Sequence, residues 1–215
     1  MGRRATGMIV LAVLALTLAL VDACRSSAPG GSTGLPPQPP PSGILPPSPG
    51  DSVPVASLSI PATPSSHAGP ELEAMLPTEV RGLRLTITSV AARDLAGTPA
   101  EASLTELAQR VGRPLSDLTL AAAVDSTGQL AGGINAMRLR SGSGAELLQT
   151  IVAIEQSNVP SEVSTDVLGG REVTRLTQRK NGRTITRYLL ASGEVVFVVL
   201  SPDQATAIEF IEALP

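Results

Sequence analysis

Histidine, cysteine and aromatic residues are nearly missing from this 215-residue chain, which has one His, one Cys, no Trp, one Tyr and two Phe. A single Cys excludes an internal disulfide framework and a zinc site made of thiolates. A single His excludes any site built from several imidazoles. With aromatics at 1% of the chain, there is no platform on which sugars or unpaired bases could stack. The net charge of -3 is opposite in sign to that of a general nucleic-acid binder, so no nucleic-acid partner is expected. Long apolar runs are also scarce. Met8–Val21 is uncharged, with Thr17 its only polar member, and comes after Arg3 and Arg4. It falls short of the roughly 20 apolar residues a spanning helix needs. A positive start and a short apolar core are the marks of a secretory signal peptide.

The run ends in Val21-Asp22-Ala23-Cys24, which resembles a bacterial lipobox: aliphatic residue, small residue, Gly/Ala/Ser, then Cys. Asp22 departs from the pattern, which has a small uncharged residue there. The resemblance implies that Cys24 receives a diacylglycerol thioether, that residues 1–23 are cut away, and that the new amino terminus is often acylated. Two or three chains then give a stable anchor where one would not, at about 0.8 kcal/mol per buried CH₂. The expected location is the outer face of the cell membrane.

Proline, serine and glycine dominate residues 25–70, with 13 Pro, 10 Ser and 6 Gly, and only Arg25 and Asp51 are charged there. Such a composition buries too little apolar area to offset its ordering entropy. A lipidated Cys24 with a disordered tether to residue 70 is therefore expected, reaching between roughly 35 Å as a coil and roughly 140 Å fully extended. Residues 71–215 remain as one globular domain, long enough for a real core.

In that domain Leu83–Thr88 alternates with period two, as a strand does. Thr98-Pro99-Ala100-Glu101 opens a helix with apolar Leu104, Leu107, Ala108 and Val111. Strands are expected near 118–124 and 133–140. Ser143-Gly144-Ala145-Glu146 is a second capping pattern, opening a helix with a wide apolar stripe from Leu147 to Ile154. Strands near 163–167 and 171–177 precede Asn181-Gly182, a two-residue hairpin signal leading to 184–190. Glu194–Leu200 reads as a fully buried central strand, and Ser201-Pro202-Asp203-Gln204 caps a last helix. Thr78–Gly82 echoes Thr165–Gly169. The expected fold is α+β: a two-layer sandwich with an antiparallel sheet, helices on one face, and two related strand-rich units.

Motifs that carry chemistry are few. Gly30-Gly31-Ser32-Thr33-Gly34 matches the nucleophile-elbow pattern, but it lies in the tether, as does His67, without the strand-to-helix turn the pattern needs. Ser141–Gly144 lies between a strand and a helix and could cradle a phosphate, but helix capping accounts for it. Lys180, the only Lys of the chain, sits beside a hairpin tip where a solvated charge is expected. No catalytic residue, metal ligand or cofactor site is assigned, and the domain is read as non-enzymatic.

One charge cluster stands out. Residues 171–187 carry Arg171, Arg175, Arg179, Lys180, Arg183 and Arg187 against the single acid Glu172. The rest of the mature chain from Cys24 holds 8 basic and 17 acidic residues. Strand parity puts Arg171, Arg175 and Arg179 on one face, beside Thr184, Thr186 and Tyr188, and turns Leu176, Ile185 and Leu189 to the core. These six basic residues are the candidate anion-binding set, for anionic lipid or wall polymer. The alternative is a solvated hairpin whose charge blocks edge pairing.

Residues 75–215 also resemble domains of uncharacterised envelope lipoproteins from high-GC bacteria, through the LPTEVRGL opening, the GEVVFVVLS strand and the closing EALP. The resemblance implies a membrane-anchored envelope protein and brings no activity with it. The expected function is a binding or scaffold domain held at the membrane. The alternatives are a carrier of an acyl ligand between sheet and helices, and a hydrolase of unrecognised type.

Overall fold

The computed structural model describes residues 67–130, 132–180 and 183–215, without the side chains of residues 180 and 183. Cys24, the leader and the tether up to residue 66 lie outside the described residues, as do Asn181 and Gly182. His67–Pro70, on the tether side of residue 71, are bonded into the fold: Ala68 N–H donates to the Ser89 carbonyl and α1 spans Pro70–Glu73.

The strand expected at Leu83–Thr88 is broken at Leu85 into strands of two different sheets, Leu83–Arg84 and Thr86–Ala91. A small hairpin pairs β1 (Glu79–Val80) with β2 (Leu83–Arg84). The main sheet holds β3 (Thr86–Ala91), β4 (Leu118–Val124), β5 (Gly133–Leu139), β6 (Ser161–Leu168), β7 (Arg171–Lys180), β8 (Arg183–Ser192) and β9 (Val195–Leu200). Its order is β3-β4-β5-β9-β8-β7-β6, with every neighbouring pair antiparallel. Two meanders therefore meet where their last strands, β5 and β9, pair. The helices are α2 (Ala100–Arg110), α3 (Gly144–Asn158) and α4 (Gln204–Glu212). The α+β class with an antiparallel sheet is as the alternation requires.

The layering differs from expectation, because helices cover both faces of the sheet. On one face α1, the β1–β2 hairpin and α4 bury Leu72, Val80, Phe210 and Ile211 against Val195, Phe197 and Val199. On the other, α2 and α3 bury Leu104, Leu107, Leu147 and Ile154 against Val196, Val198, Leu118 and Leu139. The reason is legible in β9 itself. Val195–Val199 are all buried, and a strand with no polar side must have cover on both. The two meanders are related by a rotation normal to the sheet, which would leave their succeeding helices on one face. α3 and α4 lie on opposite faces, so the repetition extends to the strands alone.

The Thr78–Gly82 echo marks turn chemistry. Arg81-Gly82 (φ 55° and 73°) joins β1 to β2, and Gly169-Gly170 (φ 55° and 73°) joins β6 to β7. Both are two-residue turns with two positive φ angles, as hairpins favour. The sequence echo aligns Gly82 with Gly169, whereas the turns align it with Gly170, so the likeness is offset by one residue from the structural equivalence.

Helix caps obey two of the three patterns. Ser143 Oγ accepts from Glu146 N–H at 3.4 Å at the start of α3. Asp203 accepts from Thr206 N–H and Thr206 Oγ1, both at 2.8 Å, at the start of α4. Those bonds hold the Asp203 carboxyl below its ordinary range. At α2 the box is rearranged: Thr98 Oγ1 donates back to the Leu95 carbonyl, and the Glu101 carboxylate accepts from Gly97 N–H instead.

Candidate functional site

The register of β7 with β8 decides where the six basic residues point. Arg175 lies opposite Tyr188, Arg179 opposite Thr184, and Arg187 opposite Leu176. The first two pairs have the expected parity. Arg187 belongs to the other face, the one carrying Leu176 and Leu189.

The set is therefore divided. Arg171, at the far end of the hairpin, donates to the carbonyls of Leu214 and Pro215 at 2.6 and 2.7 Å and so ties down the carboxyl-terminal segment. Arg175 pairs with Asp166 of β6 at 3.1 Å. Arg187 is buried beneath α3, where it pairs with Glu155 at 2.5 Å. Arg179 is exposed near the tip. Positions 180 and 183 pair across the tip through the backbone. Of the candidate anion-binding residues, Arg171, Arg175 and Arg187 thus already hold partners within the fold.

Arg187 sits in a buried polar network that engages both its terminal nitrogens and leaves its Nε without a hydrogen-bond partner. Its Nη1 donates to Glu155 Oε1 and its Nη2 to Gln178 Oε1, while Gln178 Nε2 donates to Glu155 Oε2 at 2.9 Å and to Ser161 Oγ at 3.0 Å. α3, β6, β7 and β8 are joined by these four side chains. The network is a structural clamp that aims the hairpin, since Glu155, Gln178 and Arg187 are all less than 10% exposed.

A second polar group lies where the chain joins the sheet. Ser89 Oγ, buried, donates to Glu73 Oε1 at 2.6 Å and accepts from Gly69 N–H at 2.7 Å. His67 Nδ1 lies 3.0 Å from both Glu73 oxygens. Serine, carboxylate and imidazole are present, but in the order Ser–Glu–His. In a nucleophilic triad the imidazole touches the hydroxyl and removes its proton. Here the carboxylate holds both and keeps them apart, so this trio pins His67–Gly69 to edge strand β3. The position of His67 six residues before Glu73 was the available signal for their meeting, and nothing in the sequence singled out Ser89.

Three backbone donors of the Ser141–Gly144 loop are occupied. Ser141 N–H meets Glu194 Oε1 at 2.9 Å, Gly142 N–H the Leu139 carbonyl at 3.0 Å, and Gly144 N–H the Gly193 carbonyl at 2.7 Å. Capping and loop closure therefore use most of the groups that a phosphate would need. Two open crevices meet nearby at Ala68 and Arg140, one lined by Glu71, Arg138 and Glu194, the other by Arg93, Asp94 and Asp117. Their charged linings suit water and ions better than an acyl chain. In the β4–β5 loop, Asp125 accepts from the Thr127 hydroxyl and from the amides of Thr127 and Leu130, and these bonds lower its pKa to about 2. Among the described residues no three His, Cys, Asp or Glu side chains gather as a metal site would require, and no helix is long and apolar enough to cross a membrane.

Compared with protein-family models, with curated proteins and with solved structures, the chain matches none.

Proposed function

We propose that the chain is an extracytoplasmic lipoprotein whose folded domain is a non-catalytic docking module, anchored through Cys24 and carried on the Pro/Ser/Gly-rich tether. One observation carries this reading: the only Cys of the chain closes a short apolar leader in a lipobox-like setting, and a proline-rich segment comes directly after it. The attachment of His67–Gly69 to the sheet edge supports it, because a pull on the tether is met by backbone and side-chain bonds to β3 rather than by a loose end. The docking surface of this module is the tip of the β7–β8 hairpin, aimed by the Glu155–Arg187 clamp and suited to anionic lipid or wall polymer.

Metabolic labelling of cells with an alkyne fatty acid tests the anchor. The full chain is expected to take up label, lose residues 1–23 and stay with the membrane. The Cys24→Ala variant is expected to lose the label entirely and to be released or left uncleaved. Label retained in Cys24→Ala, or a cytosolic wild-type domain, overturns the reading. A second arm tests the tip: in the Cys24→Ala chain, changing Arg179, Lys180 and Arg183 together to Gln should abolish salt-sensitive binding to vesicles containing phosphatidylglycerol. Unchanged binding removes the tip from the proposal and leaves the anchor standing.

A further inference from the structure

The two edges of the main sheet are finished differently. β3 is partly blocked, since the incoming chain bridges Ser89 through His67 and Ala68. β6, the other edge, has no such cover among the described residues. It runs eight residues in unbroken register with β7, from Ser161 opposite Gln178 to Leu168 opposite Arg171, with no bulge. Edge strands normally carry charged side chains, lysine above all, a proline or a bulge that stops another strand from adding. Here Pro160 only precedes the strand, and the acids Glu162 and Asp166 lie on the face opposite to Val163 and Val167. Those two valines are the exposed large hydrophobic residues of the described chain, at 36% and 71%. Both share the face of Leu176, on which α3 packs chiefly over β5, β8 and β9.

We infer that β6 is a self-association edge, pairing antiparallel with β6 of a second copy about a two-fold axis midway between the two Thr165 residues. The strand's own pattern selects the occupant. A two-fold normal to the sheet keeps each face continuous, so it lies between a residue and that same residue of the second copy. Centred on Thr165, the axis sets Val163 against Val167 of the second copy, Thr165 against its equivalent, Asp166 against Ser164 and Glu162 against Leu168. Centred on Ser164, it would set Glu162 against Asp166, like charges directly opposed. Centred on Asp166, it would oppose that residue to itself. The Thr165 register is thus the long one that joins the valines and separates the acids. Asp166 is also neutralised within its own copy by Arg175. The pairing would extend seven strands into fourteen. One strand pair buries less than the roughly 1,200 Å² of a stable complex, so the dimer is weak and is best detected by trapping.

The trap is a single thiol in the full chain carrying Cys24→Ser. Directly opposed residues of antiparallel strands have Cα atoms about 4.5–5.5 Å apart, within disulfide reach. Under mild oxidation Thr165→Cys should give a covalent dimer. Val163→Cys alone should not, but mixed with Val167→Cys it should give the mixed dimer. Adding Val167→Lys to Thr165→Cys should cut dimer yield at least tenfold, and because Val167 is exposed the variant's melting temperature serves as its folding control. No Thr165→Cys dimer, equal yields from Val163→Cys alone, or an unaffected Val167→Lys chain would each overturn the inference. None of these outcomes depends on the lipid anchor, which the variant lacks.

Discussion

Replacing Glu155 by Leu is expected to destabilise the fold by about 3–5 kcal/mol, because it leaves the Arg187 guanidinium buried without its counter-ion. Arg187 and Glu155 side chains are 6% and 10% exposed, so water cannot stand in for the lost carboxylate. The same change removes an acceptor from Gln178, which then loses its 2.9 Å bond to Glu155. The matching double variant, Glu155→Leu with Arg187→Met, should recover most of the loss. Taking both charges out together avoids the desolvation cost of a lone ion, and such replacements are often neutral. Denaturant titration of the two single variants and the double gives the coupling directly. Single variants that lose less than about 1 kcal/mol would show that the pair is hydrated and holds nothing. The consequence extends beyond stability. Arg187 lies on β8, Gln178 on β7 and Glu155 on α3, so a broken clamp should also loosen the hairpin whose tip is the proposed docking surface.

Much of this arrangement could be read from residue pattern, and the parts that could not have physical reasons. Apolar runs bounded by turn residues mark the main-sheet strands, whereas the alternating Leu83–Thr88 is divided between two sheets, and the Ser143 cap marks the start of α3. The placement of the helices was missed, although Val195–Leu200 implied it: a strand apolar at every position needs cover on both faces. The buried pair was also partly visible. The two-residue hairpin signal at Asn181-Gly182 implies Arg187 opposite Leu176, on the core side, and that is the register of the strands. Glu155 stands four residues after Ile151 and eight after Leu147, on the apolar stripe of α3. An acid on a helix's inward face and an arginine on a strand's inward face invite each other, but only the sheet order brings α3 over β8. Counting the hairpin's charges together hid this, because net charge takes no account of which face a residue occupies. In the Ser89–Glu73–His67 trio it is Ser89 that the sequence does not single out, because its meeting with Glu73 depends on the chain bridging an edge strand.

Gly144→Ala is expected to cost about 2–3 kcal/mol, against what helix propensity alone would suggest. Alanine is the best helix former, and replacing glycine in a helix interior ordinarily gains about 0.5–1 kcal/mol. Gly144 is the first residue of α3, and its φ is not in the left-handed region. Propensity therefore favours the substitution. Packing opposes it more strongly. A methyl at Gly144 would lie 2.6 Å from the Val195 carbonyl oxygen and 2.9 Å from that of Gly193. These are backbone atoms of β9 and the β8–β9 turn and cannot rotate away, so the helix end must lift. Lifting it would stretch the 2.7 Å bond from Gly144 N–H to Gly193, a loss of about 0.5–1.5 kcal/mol on top of the roughly 1–3 kcal/mol that overpacking of this kind typically costs. Gly112→Ala is the informative comparison. A methyl there meets nothing within 4 Å, but φ is +65°, so only the left-handed strain of about 1–2 kcal/mol applies. Thermal or denaturant unfolding should rank Gly144→Ala as the more damaging variant. If it proved neutral or stabilising, α3 would not be seated against the β8–β9 turn. The clamp at Glu155, three turns further along the same helix, would then lose the rigid support from which it aims the hairpin.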